Sequence, residues 1–423
     1  MNKTRGLFWF RHDLRLHDNP ALSELAKKVN ELTCVYLYPK PLSSPHLPDE
    51  LGDGKCQRQF RDASLEALRT SLRACGSDLL IVNSDGKQQE AQQILALCDQ
   101  MEVDIVGVTE HGGFYEKRAV EIISSSTKRL RLVTQQSCTL YEEEALPFDV
   151  NEMPDVFTAF RKKVEKKATV SSPVSTIVSL PPPISNHHES LSIAADAEDT
   201  NFKGGEQAGL DHLEYYFGQT TAASEYKKTR NEMDGWLPST KFSPWLANGS
   251  LSARQIYQRL CEYEQRVEQN ESTYWIFFEL LWREFFHWLQ QKHGAKWFAF
   301  SGFQDKTPDT RFDKDSLARW CSGNTGFDIV DASMRQLNQT GYMSNRGRQL
   351  VASCLVHELN QDWRSGAAYF EKQLIDYDVA SNWGNWLYLA GVGSDPRGHR
   401  RFDLQKQADY YDNDGSFREK WLN

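Results

Sequence analysis

The sequence predicts an α/β region joined to an all-α region: an N-terminal doubly wound parallel sheet linked to a C-terminal helical domain. Three observations predict it. Short β-rich apolar runs alternate with helical-period stretches through the first 135 residues. A Ser- and Pro-rich stretch of little periodicity follows. Beyond it the chain carries long amphipathic patterns and eleven of its twelve tryptophans, with no strand signal.

Taken in order, "GLFWF" (6–10), "LTCVYLYP" (32–39), "DLLIVN" (78–83) and "VDIVGV" (103–108) are the strands. They are separated by helical stretches such as "FRDASLEALRTSLRACG" (60–76) and "KQQEAQQILALCDQM" (87–101). Continuous apolar runs suit parallel strands covered on both faces. No G-x-G-x-x-G follows any of them, so the usual dinucleotide fingerprint is missing. The later "GVGSDPRG" (391–398) follows a Trp-rich segment and not a strand, a poor substitute. The organisation expected is an α/β domain over 1–135, a linker over 136–210 whose Ser/Pro-rich part (168–208) lies on a surface, and a helical domain over 211–423. Helical patterns cover 252–269, 272–292, 327–340, 344–360 and 366–375.

Composition narrows the function. The 423 residues, 39% hydrophobic, bury more than one core. The early apolar run stops at Arg11, too short for a signal peptide, and "WIFFELLW" is far below membrane-spanning length, so a cytoplasmic protein without a membrane partner is expected. Eight cysteines lie scattered with no C-x-x-C pair, and His187–His188 has no third ligand nearby, so no metal is expected. With net charge −9, nucleic-acid binding requires a local basic patch.

Three constellations carry chemistry. In "STKFSPWLANGSLSAR" (239–254), Ser239, Thr240 and Ser243 surround Lys241 and Phe242 ahead of a Pro-started helix, an arrangement that can cradle a phosphate but more often is a plain helix cap. In "STYWIFFELLWREFFHWLQQK" (272–292), Trp275, Glu279, Trp282 and Phe286 share one helical face. That encloses a carboxylate in rings, with Arg283 one turn on as an ordinary salt-bridge partner. The third joins "GYMSNRGRQLVASCL" (341–355) to "DYDVASNWGNWLYLAGVG" (376–393): Asp376 and Asp378 require partners such as Arg346 and Arg348, and Asn382 and Trp386 share a helical face.

"FWFRHDLRLHDNPAL", "TKFSPWLANGSLSAR", "ELLWREFF", "TGFDIVDASMRQLNQTGYMSNRGRQ", "DWRSGAAYF" and "LIDYDVASNWGNWLYLAGVGSDPR" resemble the photolyase/cryptochrome family over almost the whole chain. The "NRGRQ" and "STKFSPWLA" variants are most similar to its DASH-type cryptochromes. The resemblance implies an antenna domain and a helical domain holding FAD. Tyr226, Ser239, Thr240, Lys241, Phe242 and Ser243 would approach its phosphates, with Arg283 close by. Asp376, Tyr377 and Asp378 would flank the flavin, Arg348 would pair with Asp376, and Asn382 would face flavin N5.

The implied activity is that of a deoxyribodipyrimidine photo-lyase, a carbon–carbon lyase acting on cyclobutane pyrimidine dimers in UV-damaged DNA under blue light. Glu279 would hydrogen-bond the dimer and Trp282 stack on it, while Arg230, Asn345 and Arg346 would hold the flanking strand. Trp386 and Trp363 would relay electrons to the flavin.

Three positions depart from the family pattern. Tyr388 stands for a second stacking tryptophan, which favours single-stranded substrate. Ser344 replaces a histidine of the (6-4) branch. Thr310 stands at the outer relay position, leaving Trp320, Tyr342 or Tyr369 as donors. A methenyltetrahydrofolate antenna is implied, held by Glu110 or Glu116, and a monomer is expected. A blue-light receptor is the alternative; receptors usually add a signalling tail, and none is seen after "FREKWLN". A dark flavin oxidoreductase is disfavoured by the missing nicotinamide fingerprint.

Overall fold

A computed structural model describes the chain except for residues 1–2, 41–43, 45, 48–53, 127–129, 186–188, 194–200 and 396–399. His187–His188 and most of the "DPRG" end of 391–398 lie outside the described residues.

Five strands, β1 Arg5–Phe10, β2 Glu31–Tyr38, β3 Leu79–Asn83, β4 Ile105–Glu110 and β5 Arg131–Gln136, form one sheet in the order β3-β2-β1-β4-β5 with every pair parallel. Helices α1 Pro20–Ala26, α2 Lys55–Ala74, α3 Glu90–Gln100 and α4 Phe114–Ser126 connect them. Alternate residues of β1 feed opposite faces. Phe8 and Phe10 pack with Leu65, Leu68 and Leu72 of α2, whereas Leu7 and Trp9 pack with Ile94 and Leu97 of α3. Gly107 admits α1 to the sheet, since a Cβ there would lie 2.7 Å from Leu25 Cδ2. The strand order reverses between β1 and β4, so their C-terminal ends open onto a crevice.

The stretch between the two domains departs from the expected surface linker. It contains α5 Phe157–Lys167. After α5 the chain runs extended and is tied to the α/β domain by Leu180 N–H donating to Cys75 O at 2.9 Å and Leu191 N–H to Ile81 O at 2.8 Å. Leu180 and Ile184 are buried in the two cores that flank the sheet. The prolines keep the segment extended while its few apolar residues dock, so it is a strap.

Helices α6 Glu206–Glu214, α7 Tyr226–Thr229, α8 Ser243–Ala247, α9 Ala253–Arg266, α10 Glu271–His293, α11 Lys314–Ser322, α12 Asp328–Thr340, α13 Asn345–Ser353, α14 Trp363–Gln373, α15 Val379–Leu389, α16 Leu404–Tyr411 and α17 Ser416–Leu422 build the second domain. The central helix is α10. Asn270 caps it by accepting from Ser272 and Thr273 N–H, Gly294 ends it at φ 51°, and it packs against α5, α7, α9 and α15.

Candidate functional site

One oxygen of Asp376 organises a cavity of about 230 Å³ between α13, α14 and α15. Asp376 Oδ2 accepts from Arg348 Nη2 at 2.8 Å and from Ser243 Oγ at 2.6 Å. Arg348 is fixed in turn by donating its Nε–H to Met343 O at 2.9 Å. Among the described residues Asp376 Oδ1 has no hydrogen-bond partner, although it is buried. A buried carboxylate oxygen left in this way awaits a donor from whatever fills the cavity.

Helix α15 supplies the opposite wall. Asn382 donates its Nδ2–H to Ala367 O at 3.0 Å, which sets the orientation of its amide beside the cavity. Trp386, one turn on, is 2% exposed and lines the same space. Its ring meets Phe370 at 5.3 Å and Trp320 at 6.1 Å. Its far edge abuts Gly366 of α14, where a Cβ would lie 2.2 Å from Cη2. Asn345 and Tyr342 complete the rim, and Lys241 holds its ammonium 4.4 Å from the centre of the Tyr342 ring.

Asp378 turns away from the cavity. Its Oδ1 accepts from Ser381 N–H at 2.7 Å and caps α15, and its Oδ2 lies 3.2 Å from His287 Nε2. Burial alone would raise its pKa, but the His287 imidazole and the Arg283 guanidinium outweigh burial and hold it well below the usual carboxylate range. Arg283 itself donates to Cys138 O at 2.7 Å, on the side facing the α/β domain. His111, His287 and Asp378 hold their ligand atoms within 4.8 Å of one another. His111 Nδ1 accepts from Gly113 N–H at 3.0 Å, so its neutral ring carries the proton on Nε2, and the trio reads as support for the α15 cap.

A second surface lies along α10. Glu279 does not pair with Arg283 one turn on; its partner is Arg230, at 2.8 Å. The intrahelical pair fails because Arg283 points to Cys138 while Arg230 reaches across from the end of α7. Burial raises the Glu279 pKa, and Arg230 opposes the rise. Trp282 meets Tyr388 edge to face at 5.9 Å, and Arg400 lies over the Tyr388 ring at 4.5 Å. Phe157 of α5 stacks on Trp282 at 3.8 Å and 11°. Arg346 lies over Tyr411 at 4.4 Å and donates to Gln349 Oε1 at 2.9 Å.

Other residues singled out in the sequence lie around this centre. Tyr226 is 7% exposed, its phenol pushed up by burial, then by the Glu279 charge. Phe242 packs on Tyr216 and Phe217, Thr240 O lies 2.9 Å from His212 Nε2, and Ser239 is half-buried. The neighbour of Trp363 is Trp383, at 5.7 Å, while its Nε1–H donates to Phe300 O. Trp383 was not among the donors expected from the sequence.

A further cavity of about 250 Å³ opens at the C-terminal ends of β1 and β2, where the two domains meet. Glu116 lines it with His12, Lys87, Glu371 and Tyr377. Burial alone would raise the Glu116 pKa, but His12, His111 and Lys87 hold it well below the usual range. Glu110 lines a neighbouring cavity of about 190 Å³ with His111 and His287. The two acids that spacing left equivalent therefore occupy different spaces, and Tyr377 belongs to the interdomain cleft and not to the Asp376 cavity.

Residues missing from the sequence reading share one feature. Phe157, Arg400, His287 and Trp383 gain their place from contacts across the fold; His287 and Trp383 lie inside segments already singled out, but helical spacing gave them no role there.

Comparison with known proteins gives this geometry a setting. Residues 6–182 match the DNA photolyase family model and residues 275–423 match the FAD binding domain of DNA photolyase. Over 423 aligned residues the chain is 47% identical to Cryptochrome DASH of Idiomarina loihiensis, covering 98% of this chain and 92% of that protein. It is 44% identical to Cryptochrome DASH of Vibrio parahaemolyticus, covering 100% and 94%. Among solved structures, a Synechocystis sp. PCC6803 cryptochrome superimposes with TM-score 0.89 at 38% identity, covering 100% of this chain and 89% of that one. A bacterial class III photolyase from Agrobacterium tumefaciens superimposes with TM-score 0.83 at 25% identity, covering 100% and 87%. The matched FAD binding domain spans α13, α14 and α15, and the unpartnered Asp376 Oδ1 and the amide of Asn382 suit the polar edge of that cofactor. The chain belongs to the photolyase/cryptochrome family, similar over nearly its whole length to DASH cryptochromes, and FAD is its cofactor.

Proposed function

We propose that this flavoprotein is a blue-light-dependent lyase that repairs cyclobutane pyrimidine dimers, preferentially in single-stranded DNA. The observation that carries the reading is that Trp282, one turn from Glu279 on α10, meets Tyr388 of α15, the helix that lines the Asp376 cavity. Bound reduced FAD supplies light-driven transfer of one electron to the dimer and its return after ring opening.

The chain's own residues do the rest. Asp376, Arg348 and Ser243 would hold the cofactor's polar side, and Asn382 would orient it from the opposite wall. Trp282 and Tyr388 present an aromatic corner to bases out of the stack. Glu279 hydrogen-bonds the dimer once Arg230, its partner at 2.8 Å, turns to a flanking phosphate. Arg346 and Asn345 flank the same opening. Tyr388 in place of a larger ring is a weak wedge, which suits strands where extrusion costs little. The interdomain cleft bearing Glu116 suits a folate antenna, whose amino-pterin edge offers donors to a carboxylate held ionised.

The test is equilibrium binding, in the dark, of oligonucleotides with and without a central dimer, single-stranded and duplex. The single-stranded dimer should bind tightest, and Trp282→Ala should erase the preference for damage. Equal binding of damaged and undamaged strands would overturn the reading.

A further inference from the structure

Helix α5 is a strongly basic element on an acidic protein. Over Phe157–Lys167 it carries five cations and one acid, whereas the whole chain carries net charge −9. Its buried face is Phe157, Phe160 and Val164, spaced three and four apart. The opposite face carries Lys162 and Lys166, and Lys163 and Lys167 are exposed on its flank and at its end.

The position of α5 is fixed by its contacts with α10. Phe157 stacks on Trp282 at 3.8 Å, Arg161 donates to Tyr274 Oη at 2.9 Å and lies 5.3 Å from the Phe278 ring, and Tyr274 donates to Glu165 at 2.6 Å. The two helices therefore run antiparallel, so the lysines of α5 extend along α10 from Trp282 towards its first turn. On the other flank of α10, Lys227 pairs with Glu271, Lys228 with Glu225 and Arg230 with Glu279, all within 2.9 Å. Those charges are answered inside the protein. Among the described residues no carboxylate lies within ion-pair reach of Lys162, Lys166 or Lys167.

We infer that the exposed face of α5 is a docking surface for the phosphate backbone of the single strand that runs out from Trp282. The inference rests on the reading of Trp282 as the residue that receives the flipped bases. An aromatic platform followed by a stripe of unpaired cations is the arrangement that binds single-stranded nucleic acid without reading sequence. Lys162 and Lys166 lie one turn apart, about 6 Å along the axis, a spacing that successive phosphates of an extended strand match. The surface makes affinity depend on how much strand lies beyond the lesion. Damage recognition stays with α10 and α15.

The test uses the full chain with FAD bound, and anisotropy of labelled single strands of about 5 and about 16 nucleotides, each with and without a central dimer. The variant is K162Q/K166Q/K167Q, and the control replaces the same lysines with arginine. These residues are exposed, and unchanged FAD content checks the fold. The glutamine variant should bind the long strand about fivefold or more weakly, with a salt slope lower by about 2, while binding the short strand like wild type. The arginine variant should match wild type. Unchanged binding of the long strand by the glutamine variant would overturn the inference, as would a wild type that binds both lengths alike. If the variant instead loses binding to phosphatidylserine vesicles while its DNA binding stands, the face serves a membrane surface and the inference fails. Length-dependent binding that responds to the lysines but ignores the dimer would uphold the α5 surface and sink the reading of Trp282.

Discussion

Arg348 and Asp376 meet through one charged hydrogen bond of 2.8 Å, and the carboxylate oxygen that Arg348 does not reach is buried with no partner among the described residues. The pair is thus half complete in the protein alone, and its second half faces a cavity. Arg348→Ala leaves the 2% exposed Asp376 side chain without its counter-charge, a loss of about 3 kcal/mol or more. The variant should purify with little FAD and melt lower than wild type. A fully yellow variant with an unchanged melting temperature would show that the pair does not hold the cofactor.

Asp378 predicts an acid limb of stability. Its folded-state pKa lies well below the ordinary value of 3.8, so its contribution is present above that value and is lost as pH falls through the folded one. Asp378→Asn keeps a capping side chain on α15 but removes the charge facing His287. Denaturant unfolding at about pH 7 and about pH 3 should show a smaller acid loss in the variant than in wild type. Equal losses would place the acid sensitivity elsewhere.

Gly366 tests the packing of Trp386. A methyl group there would lie 2.2 Å from Trp386 Cη2 and 2.5 Å from Leu355 Cδ2. Overpacking of this kind costs about 1–3 kcal/mol. Gly366→Ala should lower the melting temperature and disturb the flavin absorption together, because the displaced indole is a wall of the cavity. Wild-type stability with an unaltered spectrum would contradict the contact.

The relay of electrons should follow the rings. Trp386→Phe should abolish the tryptophan radical seen after a blue flash, and Trp363→Phe should cripple its formation. Trp383→Phe should shorten its lifetime, because Trp383 is the ring beside Trp363 and its Nε1–H lies 3.3 Å from the Glu371 carboxylate, ready to take up positive charge. Trp320 touches Trp386, but its Nε1–H is tied to Val351 O in a fully buried site. Transient absorption decides the matter: a long-lived radical that survives Trp363→Phe unchanged would place the route elsewhere.

The sheet was legible where its strands are covered on both faces, since β1, β2, β3 and β4 are continuous apolar runs. Strand β5, "RLVTQQ", was not, because at the sheet edge only Val133 is buried and its pattern carries no hydrophobic signal. Residue types alone left Asp376 either Arg346 or Arg348 as a partner; only the family resemblance singled out Arg348, which the fold delivers from α13 at 2.8 Å. Which arginine pairs with Glu279 was not legible, because helical spacing offers Arg283 at i+4 while the fold delivers Arg230 from another helix. Spacing alone could not choose between Glu110 and Glu116. The choice falls to the turn after β4, which sends one to each cavity.

The most direct measurement of the account is the number of dimers repaired per absorbed blue photon by the reduced protein, on single-stranded and duplex oligonucleotides, with Glu279→Ala alongside. The account predicts efficient repair of the single-stranded dimer, weak repair of the duplex, and a lower yield in Glu279→Ala with FAD still bound. An unchanged dimer count on both substrates, in a protein whose flavin still changes redox state under blue light, would contradict it and identify a receptor instead.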